Sequence, residues 1–250
     1  PRLIIKLDIW GPLKRNLCDL FVFFGIGDNM EKKYNSFVQK PDYQSKYVYI
    51  PLHYQPERTT MPQGGVYMDQ HLMVRTISAS LPKGWKIYVK EHKSQWFFSG
   101  LKPSKFRSVD YYDRMADIPN VNMVPVEEDS FRLMSSAQAV ATVTGTAAWE
   151  AVFRNIPSLI FGYPWYLGCP GIFRVSSMDD CIDFFNNLEN GYKVSKQDLL
   201  DFLYFLDKNT FHGYLQVPQQ RQSKLTEKEN RDIILDVLLK EISKIENRAD

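Results

Sequence analysis

Thr144-Gly145-Thr146 lies between a short apolar run, residues 139–143, and a stretch of helical character, residues 147–154. That combination can hold an anion. Gly145 permits a sharp turn, and Thr144 or Thr146 can cap the helix that follows. The first free N–H groups of that helix then point, with the positive end of its dipole, at whatever sits above the turn. An ordinary βα turn with a threonine cap reads the same way, so the assignment depends on what else reaches the same place. His92 directly follows the apparent strand Lys86–Lys90. It could donate a hydrogen bond to a leaving phosphate or shuttle a proton, or be a solvent-facing loop residue. His53 follows residues 47–52 in the same manner, either in the site or as a structural histidine tied to backbone. Glu127 and Glu128 follow residues 121–124, where a carboxylate can take both hydroxyls of a ribose or simply favour the next helix start. Gln55, Glu57 and Arg58 belong to a long polar loop, residues 53–65, of a length that is either functional or mobile. Trp165 and Tyr166 could stack on a base or sugar, or merely pack, while His71 and His212 read as structural.

The elements that must position these groups follow from periodicity. Runs at residues 47–52, 86–90, 121–124, 139–143 and 158–161 are short and nearly continuously apolar, with 172–175 as a sixth candidate. Such runs suit strands buried on both faces. Helical spacing is expected over residues 66–81, 109–116, 130–136, 146–154, 178–188, 194–206 and 226–245, with Asp129 or Ser130 and Thr226 as caps. Strands alternating with helices imply a parallel, Rossmann-like sheet with helices on both faces, an α/β fold. In such sheets ligands bind beyond the carboxyl ends of the strands. The loops there, HYQPERTT, EHKSQ, PVEEDS, TGTAAWE and GYPWY, should therefore converge on one crevice.

Before the first of these strands the reading is thinner. Residues 3–9 suggest a strand and 17–24 a strand or buried helix, whereas 25–45 is polar and reads as loop or linker. The chain opens at Pro1 without a methionine, as a trimmed chain would. We divide it into an N-terminal segment (1–45), a nucleotide-sugar-binding domain (46–223) and a C-terminal helix (224–250).

Bulk composition narrows the classes. The 250 residues are 44% hydrophobic and 24% charged with net charge +2, which is ordinary globular material and argues against a dedicated nucleic-acid binder. Three cysteines without metal-ligand spacing fit a reducing compartment and provide neither a disulfide framework nor a zinc site. No apolar run reaches the ~20 residues that span a bilayer and no signal peptide opens the chain, so a cytoplasmic protein is expected. GxGxxG, GxxxxGK[ST], HExxH and GxSxG are all absent, which lowers the weight of Rossmann-type hydride transfer, P-loop phosphoryl transfer and an elbow serine hydrolase. No acidic cluster suggests a metal, and none is expected.

In order, YVYIPLHYQPERTTMPQGG, GWKIYVKEHKSQ, PNVNMVPVEEDSF, AVATVTGTAAWEA and IFGYPWY resemble the capsule polysaccharide biosynthesis proteins, bacterial enzymes that include Kdo transferases. The resemblance covers roughly residues 47–175. It implies a GT-B architecture, two Rossmann-like domains facing a cleft, with the donor held by the C-terminal one. The layout is more distantly similar to bacterial GT-B sialyltransferases, which also use CMP-sugars. By that likeness His92 contacts the donor phosphate, Glu127 the ribose, and Thr144 with Thr146 the phosphate. The chain departs from those enzymes in having Lys93 in place of proline and Thr-Gly-Thr in place of adjacent hydroxyls. A complete enzyme of this type needs two domains of about 150 residues, so residues 1–45 would be a remnant of the acceptor-side domain.

The resemblance therefore implies a metal-independent glycosyltransferase taking a sugar, Kdo, from a CMP-activated donor, which is a substrate and not a cofactor. His92 and Glu57 are the expected catalytic residues. His92, Glu127, Ser130, Thr144, Gly145, Thr146 and Glu150 are expected to hold the nucleotide, and His53, Gln55, Glu57, Arg58 and Lys90 the sugar or acceptor. Partners would be a nucleotide sugar, a glycan or glycolipid acceptor and other capsule-assembly proteins, with no nucleic acid. A lipid-linked acceptor would bring the protein to the periphery of the inner membrane. Two other classes stay open: a GT-B-like nucleotide-sugar epimerase, which would prefer UDP, and a domain that binds a nucleotide or partner without turnover.

Overall fold

Alternate residues of the central strands face opposite layers, and both layers are covered. The computed structural model describes residues 30–55, 60–96, 107–215 and 217–249. The strand expected at 3–9 and the strand or buried helix expected at 17–24, with Asp8, Cys18, Asp19 and Asp28, lie outside these residues, as do Glu57 and Arg58. Six parallel strands form one sheet: β1 (Tyr47–Pro51), β2 (Lys86–Lys90), β3 (Val121–Met123), β4 (Ala139–Thr142), β5 (Ser158–Ile160) and β6 (Ile172–Arg174). Their spatial order is β3-β2-β1-β4-β5-β6. Val48, Ile50, Ile87 and Val89 point into one apolar layer. Tyr47, Tyr49, Tyr88 and Val140 point into the other.

The helices follow from the same alternation. α1 (Met30–Phe37), α2 (Gln70–Ser80), α3 (Tyr111–Ala116) and α6 (Met178–Glu189) bury Tyr34, Ile77, Tyr112 and Phe184 on the first face. α4 (Ser130–Ser135) and α5 (Thr146–Val152) bury Leu133, Met134 and Ala151 on the second. Crossovers therefore run on one face through β3 and on the other from β3 to β5. The winding reverses between β1 and β4, the place where open α/β sheets leave a crevice. The expected Rossmann-like α/β fold is present.

One local expectation is overturned. The polar stretch 25–45 contains α1, whose Met30 and Tyr34 are buried and whose Tyr34 hydroxyl donates to the Val124 carbonyl at 2.5 Å. Gln39 N–H then bonds Met123 O at 2.8 Å, continuing the segment along β3. In MEKKYNSF only Met30, Tyr34 and Phe37 are apolar, a stripe one residue wide that reads as a linker until the groove it fills is known.

The chain divides into two compact units, Pro1–Leu199 and Leu200–Asp250. α7 (Lys196–Asn209) begins in the first; α8 (Val217–Gln222) and α9 (Glu227–Ala249) belong to the second. In the second unit the buried Asn230 side chain accepts from Tyr214 N–H at 2.7 Å and donates to Tyr214 O at 3.0 Å. Among the described residues no helix is long and apolar enough to cross a membrane.

A tyrosine-rich core makes stability fall in alkali. Burial raises Tyr47, Tyr49 and Tyr111 to about 12 and also raises Tyr34 and Tyr112. In the unfolded chain phenols ionise near pH ~10, so above that pH the folded state holds the extra protons. Stability is therefore complete below pH ~10 and is lost as pH rises through the folded values. Thermal unfolding scanned against pH, with phenolate absorbance as second readout, checks this; a midpoint constant between pH ~9 and ~12 would count against it.

Candidate functional site

Two strand ends meet at the reversal point. The residues after β1 and after β4 line a cavity of about 500 Å³ whose walls include His53, Tyr54, His92, Thr144, Gly145, Thr146 and Trp165. Its floor is a hydrogen-bonded unit. His53 Nε2 lies 2.8 Å from Thr142 Oγ1 and accepts from Thr144 N–H at 3.3 Å, while Gly145 N–H donates to Thr142 Oγ1 at 3.3 Å. With Nε2 as acceptor, the ring proton of His53 sits on Nδ1. His53 thus braces the Thr-Gly-Thr turn from beneath, and it is 9% exposed.

That arrangement corrects the expected cap. The helix cap is Gly145, in extended conformation, and no side chain caps α5. A cap must be the residue at the boundary itself, and each threonine is one position away from it. Thr146 Oγ1 instead donates to Glu150 Oε1 at 3.3 Å, one turn along α5.

His92 stands beside this cavity and a second one of about 320 Å³. Its Nδ1 accepts from Ser94 N–H at 3.1 Å, which leaves the ring proton on Nε2. Lys93 opens a single 3-10 turn, Lys93–Gln95, so the loop after β2 curls back at the position where the sialyltransferase-like pattern has proline. The second cavity also holds Lys90 and Ser130. Lys90 is 4% exposed, and its ammonium donates to Ser130 Oγ at 2.7 Å and to the Glu128 carbonyl. Burial, with Lys93 nearby, lowers the Lys90 pKa from its usual value. Ser130 starts α4, which Asp129 caps by accepting from Phe131 and Arg132 N–H.

Other expected residues lie elsewhere. Glu127 is exposed and lines neither cavity, while half-buried Glu128 accepts from Tyr43 OH at 2.5 Å. Gln55 lines a separate cavity of about 300 Å³ and is clamped by Gln95, whose Oε1 accepts Gln55 N–H at 2.9 Å and whose Nε2 donates to Gln55 O at 3.1 Å. Among the described residues, no three His, Cys, Asp or Glu side chains are placed to hold a metal ion.

The supporting frame was not read from the sequence. Glu91, 1% exposed, accepts from Arg107 Nη2 at 2.9 Å and Tyr112 OH at 2.6 Å, and its Oε1 also accepts His92 N–H at 2.8 Å. The same Arg107 Nη2 donates to His53 O at 2.9 Å. Gln70 holds the His53 backbone on both sides, accepting from N–H at 2.6 Å and donating to O at 3.2 Å. The loops carrying both histidines are therefore fixed by one buried ion pair and one buried amide. Tyr166, fully buried, donates to Gly145 O and ties the loop after β5 to the turn. The available signal was Glu91 beside a strand end, but a charged residue there defaults to solvent.

No family model matches the sequence, and no curated protein matches it. Among solved structures, the chain is similar to KpsC of Thermosulfurimonas dismutans, described as a beta Kdo 2,7 transferase, with 15% identity and TM-score 0.41 over 60% of this chain and 47% of that one. It is similar to UDP-GlcNAc 2-epimerase of Methanocaldococcus jannaschii with 15% identity and TM-score 0.42 over 73% and 50%. For UDP-GlcNAc 2-epimerase of Neisseria meningitidis bound to UDP-GlcNAc the values are 17% and 0.38 over 72% and 50%. The chain spans about half the length of each.

Proposed function

We propose that the chain is the donor-binding part of a GT-B-type glycosyltransferase of capsule or surface-polysaccharide biosynthesis. It takes a sugar, Kdo by the resemblance, from a CMP-activated donor and passes it to a glycan or glycolipid acceptor, at the inner membrane where a lipid-linked acceptor resides. The observation that carries this reading is the 500 Å³ cavity at the β1/β4 reversal, with the Thr-Gly-Thr turn at its floor and His92 at its side. Sugar transfer breaks the bond to the leaving phosphate and builds negative charge there. The N–H groups that open α5, the hydroxyls of Thr144 and Thr146 and the Nε2–H of His92 are the donors assigned to that charge, Thr146 Oγ1 exchanging its Glu150 Oε1 acceptor for the phosphate, so the step calls for no metal. Buried Lys90 adds a positive charge on the β2 side of the same crevice. The acceptor and its general base are assigned to the partner half of the cleft, together with Glu57 on the loop after β1.

Calorimetric titration with CMP, with UDP as control, tests the reading. CMP is expected to bind, and His92→Ala to weaken it by about 1–3 kcal/mol, the cost of losing a hydrogen bond to a charged group. Tighter binding of UDP would move the assignment to a nucleotide-sugar epimerase. Binding of neither nucleotide would overturn it.

A further inference from the structure

Trp165 is 67% exposed, yet it stands at the rim of the nucleotide cavity packed on two aromatic neighbours. Its ring packs 5.0 Å from Trp149 and edge-on to Tyr166 at 5.4 Å and 87°. Tyr166 is in turn fully buried and bonded to Gly145 O in the Thr-Gly-Thr turn. Beside it Tyr163, 57% exposed, lies under the Arg174 guanidinium at 4.0 Å, and its N–H bonds Gln63 O at 3.1 Å. The Tyr163 face is thus taken by Arg174, and the exposed indole of Trp165 has no role in the donor-site reading above. An indole left in water forgoes the burial that normally places it, and one backed by other rings presents its remaining face to a flat partner.

The sheet order says which partner. β5 lies on one side of β4, and β1 and β2 on the other, so Trp165 after β5 and Lys90 at the end of β2 flank the turn from opposite sides. A sugar nucleotide with its phosphate over the turn must point one end each way. The β2 side sets the polar groups of Lys90, Ser130 and His92 among the apolar surfaces of Tyr49, Pro51 and Leu52, and suits a nucleoside, which needs both hydrogen bonds and an apolar wall for its base. The β5 side is open and aromatic. We propose that Trp165 is a stacking platform for a pyranose ring, whose apolar C–H face packs on the indole while its hydroxyls stay in water. The inference rests on the donor-site reading and adds the side of the turn on which a sugar ring stacks. The ring can come from the donor sugar or from the acceptor glycan, and both present the same face.

The test compares wild type, Trp165→Phe and Trp165→Ala against three probes: CMP, CMP-N-acetylneuraminic acid, and an array of bacterial surface oligosaccharides. Trp165→Ala is expected to leave CMP affinity within twofold while lowering affinity for a sugar-bearing probe by about three- to tenfold, with Trp165→Phe retaining most of it. Loss confined to the CMP-sugar identifies the donor ring, and loss confined to array glycans the acceptor. An equal loss for CMP itself would overturn the proposal, because Trp165 would then stack the base, and would leave the donor-site reading standing. Unchanged binding of every probe in Trp165→Ala overturns the proposal alone. Wild type that binds none of the probes overturns both.

Discussion

Replacing Arg107 by alanine is expected to destabilise the protein by about 3–5 kcal/mol, the cost of leaving one member of a buried ion pair without its partner. The side chains of Arg107 and Glu91 are 1% and 0% exposed, so the stranded carboxylate cannot recover hydration. Tyr112 and His92 N–H would still donate to it, but neither carries charge there. The pair itself need not stabilise the fold relative to an apolar substitute. The double variant Glu91→Leu/Arg107→Met should therefore recover a large share of the loss. Urea unfolding of both singles and the double measures this. A loss below ~1 kcal/mol in Arg107→Ala would show that the carboxylate is not trapped, and with it the bracing of the His53 and His92 loops would fall.

Gly162→Ala is expected to cost about 1–3 kcal/mol and to abolish nucleotide binding out of proportion to that loss. A Cβ at Gly162 would lie 2.7 Å from Gln63 O, 2.7 Å from Thr144 Cγ2 and 3.0 Å from Val143 O. Two of these are backbone oxygens that cannot swing aside, so Thr144 gives way and the turn moves off His53. Gly84→Ala is the control. Gly84 has φ +84° and nothing within 4 Å of a new Cβ, so that variant pays only backbone strain far from the turn. Chemical denaturation and calorimetry with CMP on both variants separate the effects. Nucleotide affinity that falls equally in the two would mean that Gly162 has no particular connection to the site.

Much of this architecture was legible locally. β2 runs from Lys86 to Lys90 as its apolar run suggests, and the other strands end within a residue or two of their expected limits. Strands buried on both faces announce themselves without knowledge of their neighbours. α1 was missed because its apolar stripe is too narrow to rise above its lysines and asparagine, and only the groove beside β3 makes Tyr34 a core residue. The threonine cap was misplaced by one residue for a related reason: which residue bounds α5 depends on His53 and Thr142 taking the amides of Thr144 and Gly145.

By itself, then, the amino-acid sequence determined the alternation of strands and helices, and hence which loops share the carboxyl edge of the sheet. Periodic burial is a property of consecutive residues and is written in them. The tertiary structure alone decided what each polar side chain at that edge does. His53 became the brace of a turn 89 residues away, Glu91 a buried counter-ion and Glu127 a solvent-facing carboxylate, while the Trp165 ring stayed exposed. Those roles depend on desolvation and on hydrogen bonds between residues far apart in the chain. Neither exists until the sheet has brought the loops together.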